Sequence, residues 1–123
     1  MDNQPFRVMI LDDDEKVRSS LSRLFRHHRM TVATAASCEK ALKRLREGET
    51  FDCMLVDLLM PGINGREFVQ TVVDEALIDP SRIVILTGVH NTDNATAYIQ
   101  YGVCAYCGKP WDNDRILTQV RRV

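Results

Sequence analysis

Three short apolar runs, Val8–Leu11, Cys53–Val56 and Ile83–Leu86, are continuous rather than alternating, and this limits the chain to very few folds. A strand with one wet face alternates apolar and polar residues, so an unbroken run of four belongs to a central parallel strand covered on both faces. Between the runs the spacing becomes helical: Val17, Leu21, Leu24 and Phe25, then Ala41, Leu42 and Leu45, then Phe68, Val69, Val72 and Val73. Thr31–Ala35 alternates partly and reads as an edge strand, and Val103–Cys107 reads as a short fifth strand. Ser37, Thr92 and Asn113 are candidate N-caps of the second, fourth and fifth helices, because their side-chain oxygens accept bonds from unpaired backbone N–H groups. Gly48, Gly88 and Gly102 punctuate element ends. Five β/α units predict an α/β fold, a doubly wound five-stranded parallel sheet of order 2-1-3-4-5 with helices on both faces.

With 123 residues the chain is read as one domain, residues 1–123. A chain of this size removes roughly two thirds of its unfolded surface from water. Arg121-Arg122-Val123 is either a helix end or the start of a connection to a further domain. The net charge of -1 lacks the dense basic face that direct nucleic-acid binding requires. The sequence has no 18-residue apolar run and no signal-peptide layout, so neither a membrane role nor export is expected and the location is read as cytoplasmic. Four cysteines then stay reduced. The Cys104-x-x-Cys107 spacing falls in an apolar stretch without a second ligand pair, so these are read as buried packing thiols.

Asp12-Asp13-Asp14 closes the first apolar run and Asp57 closes the second. In a sheet of order 2-1-3-4-5 those two strands are neighbours, and ligands bind at the switch point beyond their carboxyl ends. Carboxylates brought to ~4 Å there repel by roughly 4 kcal/mol per pair at an effective dielectric of 20, so the cluster needs a cation or a proton. Mg2+ suits it, since this hard ion takes one or two protein carboxylates, keeps several waters and leaves room for a phosphoryl oxygen. The residues Asp12 to Glu15 also fit a first helical turn, where acids favour the helix dipole.

The acidic pair, Asp57-x-x-Met60-Pro61-x-x-x-Gly65, Ile85-Leu86-Thr87-Gly88 and Tyr106-x-x-Lys109-Pro110 occur in the order found in receiver domains of two-component response regulators, and the chain resembles that family over almost its whole length. The resemblance implies a flavodoxin-like (βα)5 fold and a phosphorylation-dependent switch. Asp57 would accept a phosphoryl group from a sensor histidine kinase or phosphotransfer protein. Mg2+ would be held by Asp13, Asp57 and the backbone carbonyl of Leu59, with Asp12 acting through water. Thr87, Gly88 and Lys109 would contact the phosphoryl group, Thr87 and Tyr106 would form the switch, and the Lys109-Pro110 bond would be cis. The chain would be no enzyme beyond catalysing its own phosphorylation and dephosphorylation. An output domain or effector protein would read the switch, and a homodimer could form through the fourth helix, fifth strand and fifth helix, with Tyr98, Tyr101 and Arg115 as candidates.

Leu59 and Val89 are apolar where many family members carry a polar residue, so neither can orient attacking water, and slow dephosphorylation is expected. His27 and His28 read as surface residues near a helix C-terminus, and His90 as a residue beside the site. Two alternatives remain at this level. Asp12-x-Asp14 resembles the nucleophile loop of haloacid-dehalogenase-like magnesium phosphatases, with Asp12 as the nucleophile, and a receiver fold can also serve as a phosphorylation-independent docking module.

Overall fold

The computed structural model describes residues 5–57, 65–88 and 102–123. In chain order the elements are β1 (Arg7–Leu11), α1 (Glu15–His27), β2 (Thr31–Ala35), α2 (Cys38–Arg46), β3 (Cys53–Asp57), α3 (Gly65–Asp74), a 3-10 turn (Pro80–Arg82), β4 (Ile83–Gly88), β5 (Ala105–Lys109) and α4 (Asn113–Arg121). The strands form one sheet of order β2-β1-β3-β4-β5, parallel throughout. Here α4 corresponds to the fifth helix expected from sequence. The expected fourth helix, with its cap Thr92 and with Tyr98 and Tyr101, lies outside the described residues.

Two apolar layers follow from the period-two alternation of side chains along each strand. Met9, Leu11, Met54, Val56, Ile83 and Ile85 pack against Ala41, Leu42, Leu45, Phe68, Val69 and Val72 of α2 and α3. Val8, Ile10, Leu55, Val84 and Leu86 pack on the other face against Leu21, Phe25, Ile116, Leu117 and Val120 of α1 and α4. The apolar run within each of the central three strands is therefore unbroken because odd and even residues face different layers. β2 and β5 are half-exposed along their length, as edge strands should be.

Some local expectations need correction. Asp112, not Asn113, caps α4, its carboxylate accepting the Arg115 N–H at 3.1 Å. Asn113 is the first helical residue and instead accepts the Trp111 indole N–H at 3.1 Å. Ser37 does cap α2, accepting the Lys40 N–H at 3.2 Å. The fifth strand runs two residues later than its apolar pattern, because Gly108 and Lys109 continue the ladder opposite Thr87 and Gly88 although neither has a strand-forming side chain. Cys104 consequently precedes the strand and is exposed, whereas Cys38 and Cys53 are buried and Cys107 is half-buried. Cys104 is thus not a packing thiol.

Candidate functional site

The carboxyl ends of β1 and β3 lie side by side, with Leu11 opposite Val56. Asp12 immediately follows β1, and Asp57 ends β3. One carboxylate oxygen from each of Asp12, Asp13 and Asp57 lies within 4.8 Å of the others. Asp12 is wholly buried, Asp57 is 5% exposed, and Asp13 faces solvent. The three acids predicted to converge therefore do so, in graded exposure from floor to rim.

The parallel register also carries β5 to this edge, where Gly88 is opposite Lys109. The Lys109 ammonium donates to Asp12 Oδ2 at 2.7 Å and stands 3.5 Å from Asp57 Oδ2. Burial alone would push its pKa down. The hydrogen bond to Asp12 and the charges of Asp57 and Asp12 outweigh that, so the pKa is raised and Lys109 stays cationic. The Lys109-Pro110 peptide is cis. Trp111 follows, half-buried against the apolar layer beneath α1 and α4.

Asp14 takes the role that the helical-turn reading gave this segment. Its side chain caps α1 by accepting the Lys16 N–H at 2.9 Å, and Glu15 occupies the first turn. The run Asp12-Asp13-Asp14 thus divides into a buried acid, a rim acid and a cap. An Asp12 nucleophile, as in the phosphatase alternative, is disfavoured because Asp12 is wholly buried and both its oxygens already accept hydrogen bonds.

Thr87 and Gly88 end β4 at the same edge, opposite Gly108 and Lys109. Tyr106, opposite Ile85, is 39% exposed. Leu59, Met60, Pro61, Val89 and His90 lie outside the described residues. His27 and His28 sit at the end of α1, both exposed, with Arg121 donating to His28 Nδ1 at 3.2 Å, well away from the acidic edge in the chain. Sequence reasoning missed Arg18, whose guanidinium donates to the Asp12 backbone carbonyl at 2.8 Å. Nothing in its spacing separates it from the other arginines of α1.

A protein-family model described as the response regulator receiver domain matches residues 8–121. Among curated proteins, the response regulator ArlR of Staphylococcus aureus is 24% identical over 117 residues, covering 95% of this chain and 52% of that protein. The chain thus spans about half the length of the curated relatives it matches. Among solved structures, a candidate response regulator from Chloroflexus aurantiacus is similar with a TM-score of 0.89 at 28% identity, with 97% of each chain covered. FixJ-N is similar with a TM-score of 0.86 at 25% identity, covering 97% of this chain and 93% of that one.

Proposed function

Because the chain belongs to the response regulator receiver domain family, we propose that it is a phosphorylation-controlled switch in which Asp57 accepts a phosphoryl group from a sensor histidine kinase or phosphotransfer protein. The observation that carries this reading is the meeting of Asp12, Asp13 and Asp57 with the Lys109 ammonium at one sheet edge. An Asp57 oxygen attacks phosphorus as the N–P bond of the donor breaks, leaving an acyl phosphate on Asp57 and a free imidazole on the donor.

The all-oxygen donor set, two buried acids and one on the rim, fits a hard divalent cation. Asp13, Asp57 and the Leu59 carbonyl would hold Mg2+, with Asp12 acting through water. Bound there, Mg2+ supplies neutralisation of the charge on the transferred group. Lys109 has a flexible stem and three donors, so its ammonium can leave the acids for a phosphoryl oxygen. The Thr87 hydroxyl and the Gly88 backbone supply further donors, and movement of Thr87 is coupled to inward rotation of Tyr106. An output domain or an effector protein reads the resulting change at β5 and α4, and a homodimer can form through the same face with Arg115.

Intact-mass measurement after incubation with Mg2+ and acetyl phosphate tests the reading. One phosphoryl adduct is expected, absent from Asp57→Asn and from a metal-free sample. A folded, Mg2+-binding protein without adduct would move the phosphorylation-independent docking role ahead. Leu59 and Val89 set the lifetime of the adduct: placing a polar residue at either should shorten its half-life, and a half-life already shorter in the parent than in those variants contradicts the assignment.

A further inference from the structure

Every polar backbone and side-chain group of Asp12 has a partner. Its N–H donates to the Ala35 carbonyl at 3.2 Å. Its Oδ1 accepts the Asp14 N–H at 2.9 Å, and its Oδ2 accepts Lys109 at 2.7 Å. The remaining group, the backbone carbonyl, accepts Arg18 Nη1 at 2.8 Å. That last bond spans six residues, reaching from the first full turn of α1 back past the cap Asp14 to the end of β1.

The choice of partner is informative. Arg18 lies close in sequence to Asp13, Asp14 and Glu15, yet among the described residues its guanidinium forms no salt bridge and bonds a neutral carbonyl. The Asp12 carbonyl and the Asp13 N–H belong to one rigid peptide plane, because the C–N bond resists rotation. A donor on the carbonyl oxygen therefore fixes the plane from which Asp13 departs. Asp13 needs such a hold, since it is exposed and, among the described residues, no hydrogen bond restrains its carboxylate. Asp12 and Asp57 are held by burial, and Lys109 is within reach of both.

We propose that Arg18 is a positioning residue for the acidic site: by bonding the Asp12 carbonyl it sets the Asp12–Asp13 peptide plane and so presents the Asp13 carboxylate to a divalent cation. The inference rests on the cation-binding reading of Asp13 and Asp57. It makes a prediction opposite in sign to simple charge. Deleting a nearby guanidinium should strengthen cation binding by Coulomb's law, whereas deleting a positioning contact should weaken it. Outer-shell partners that orient a ligand are commonly worth about tenfold or more in metal affinity.

The test is calorimetric titration of Mg2+ into the parent, Arg18→Met, Arg18→Lys and Asp13→Asn proteins, with amide hydrogen exchange of the metal-free forms. Methionine keeps most of the apolar stem and removes the donors; lysine keeps the charge and one donor. Arg18→Met is expected to bind Mg2+ about tenfold more weakly, with Arg18→Lys recovering most of the loss and the Asp14 amide exchanging faster in Arg18→Met than in the parent while strand amides are unchanged. Parent-like or tighter binding by Arg18→Met overturns the positioning role while the cation site stands. A parent that binds no Mg2+, indistinguishable from Asp13→Asn, overturns the cation site and the role of Arg18 with it.

Discussion

Replacing Asp13 with asparagine should stabilise the metal-free protein and remove most of its response to Mg2+. Three carboxylates and one ammonium share the site, a local formal charge of -2 that the substitution reduces to -1. The acid oxygens lie within 4.8 Å of one another, a separation at which each pair repels by roughly 3.5 kcal/mol at an effective dielectric of 20 and roughly 0.9 kcal/mol in water. Asp13 is exposed, so the water-like limit applies, and its two repulsions less its attraction to the Lys109 ammonium leave about 1 kcal/mol. For a domain of this length that is a rise of about 3–5 °C in Tm. Thermal melts by circular dichroism in EDTA measure it directly, and the gap should narrow in high salt as the repulsion is screened. Saturating Mg2+ at 100 times Kd adds about 2.7 kcal/mol to the parent, and the variant should gain little of it. A variant that melts below the parent in EDTA, or that gains as much from Mg2+, would refute the reasoning.

Other outcomes test the scaffold. The Glu49 carboxyl is held below its ordinary value by a hydrogen bond from Arg44, against burial, with help from the charges of Arg44 and Arg7, so its folded form binds fewer protons than the unfolded chain. The pair therefore stabilises above about pH 4.5, by under about 1 kcal/mol, and Glu49→Gln should cost stability at pH 7 but progressively less as pH falls below that value, as urea melts across pH will show. Two residues past α1 and α3 the chain turns through Arg29 and Ala76 at φ of 66° and 53°, where after α2 it turns through Gly48 at 95°. Ala76→Gly should raise stability by about 0.5–1 kcal/mol in a denaturant melt, and a loss would show that the left-handed step carries no strain. Cys104 is exposed, while burial pushes the Cys38 thiol up to about 12 and that of Cys53 upward too. Peptide mapping after iodoacetamide treatment at pH 8 should find Cys104 labelled first and Cys38 and Cys53 protected until unfolding.

Sequence alone determined the elements whose physics is local or strictly periodic. Continuous apolar runs of four residues, too short for helices and separated by helical patterns, fit strands covered on both faces, so β1, β3 and β4 and the two-layered sheet were legible, and Ser37 was legible as a cap because its hydroxyl stands just before a helical pattern. The acids Asp12, Asp13 and Asp57 were legible because strand ends in a sheet of this order share one edge. Tertiary structure decided what depends on partners distant in the chain. β5 runs on through Gly108 and Lys109 because the β4 backbone offers ladder bonds there, which no propensity records. The division of Asp12, Asp13 and Asp14 into floor, rim and cap came from Lys109, 97 residues away from Asp12, and from where α1 begins. Arg18 emerged only in three dimensions, since a guanidinium on a helix has many reachable acceptors and the packed fold alone selects the Asp12 carbonyl among them.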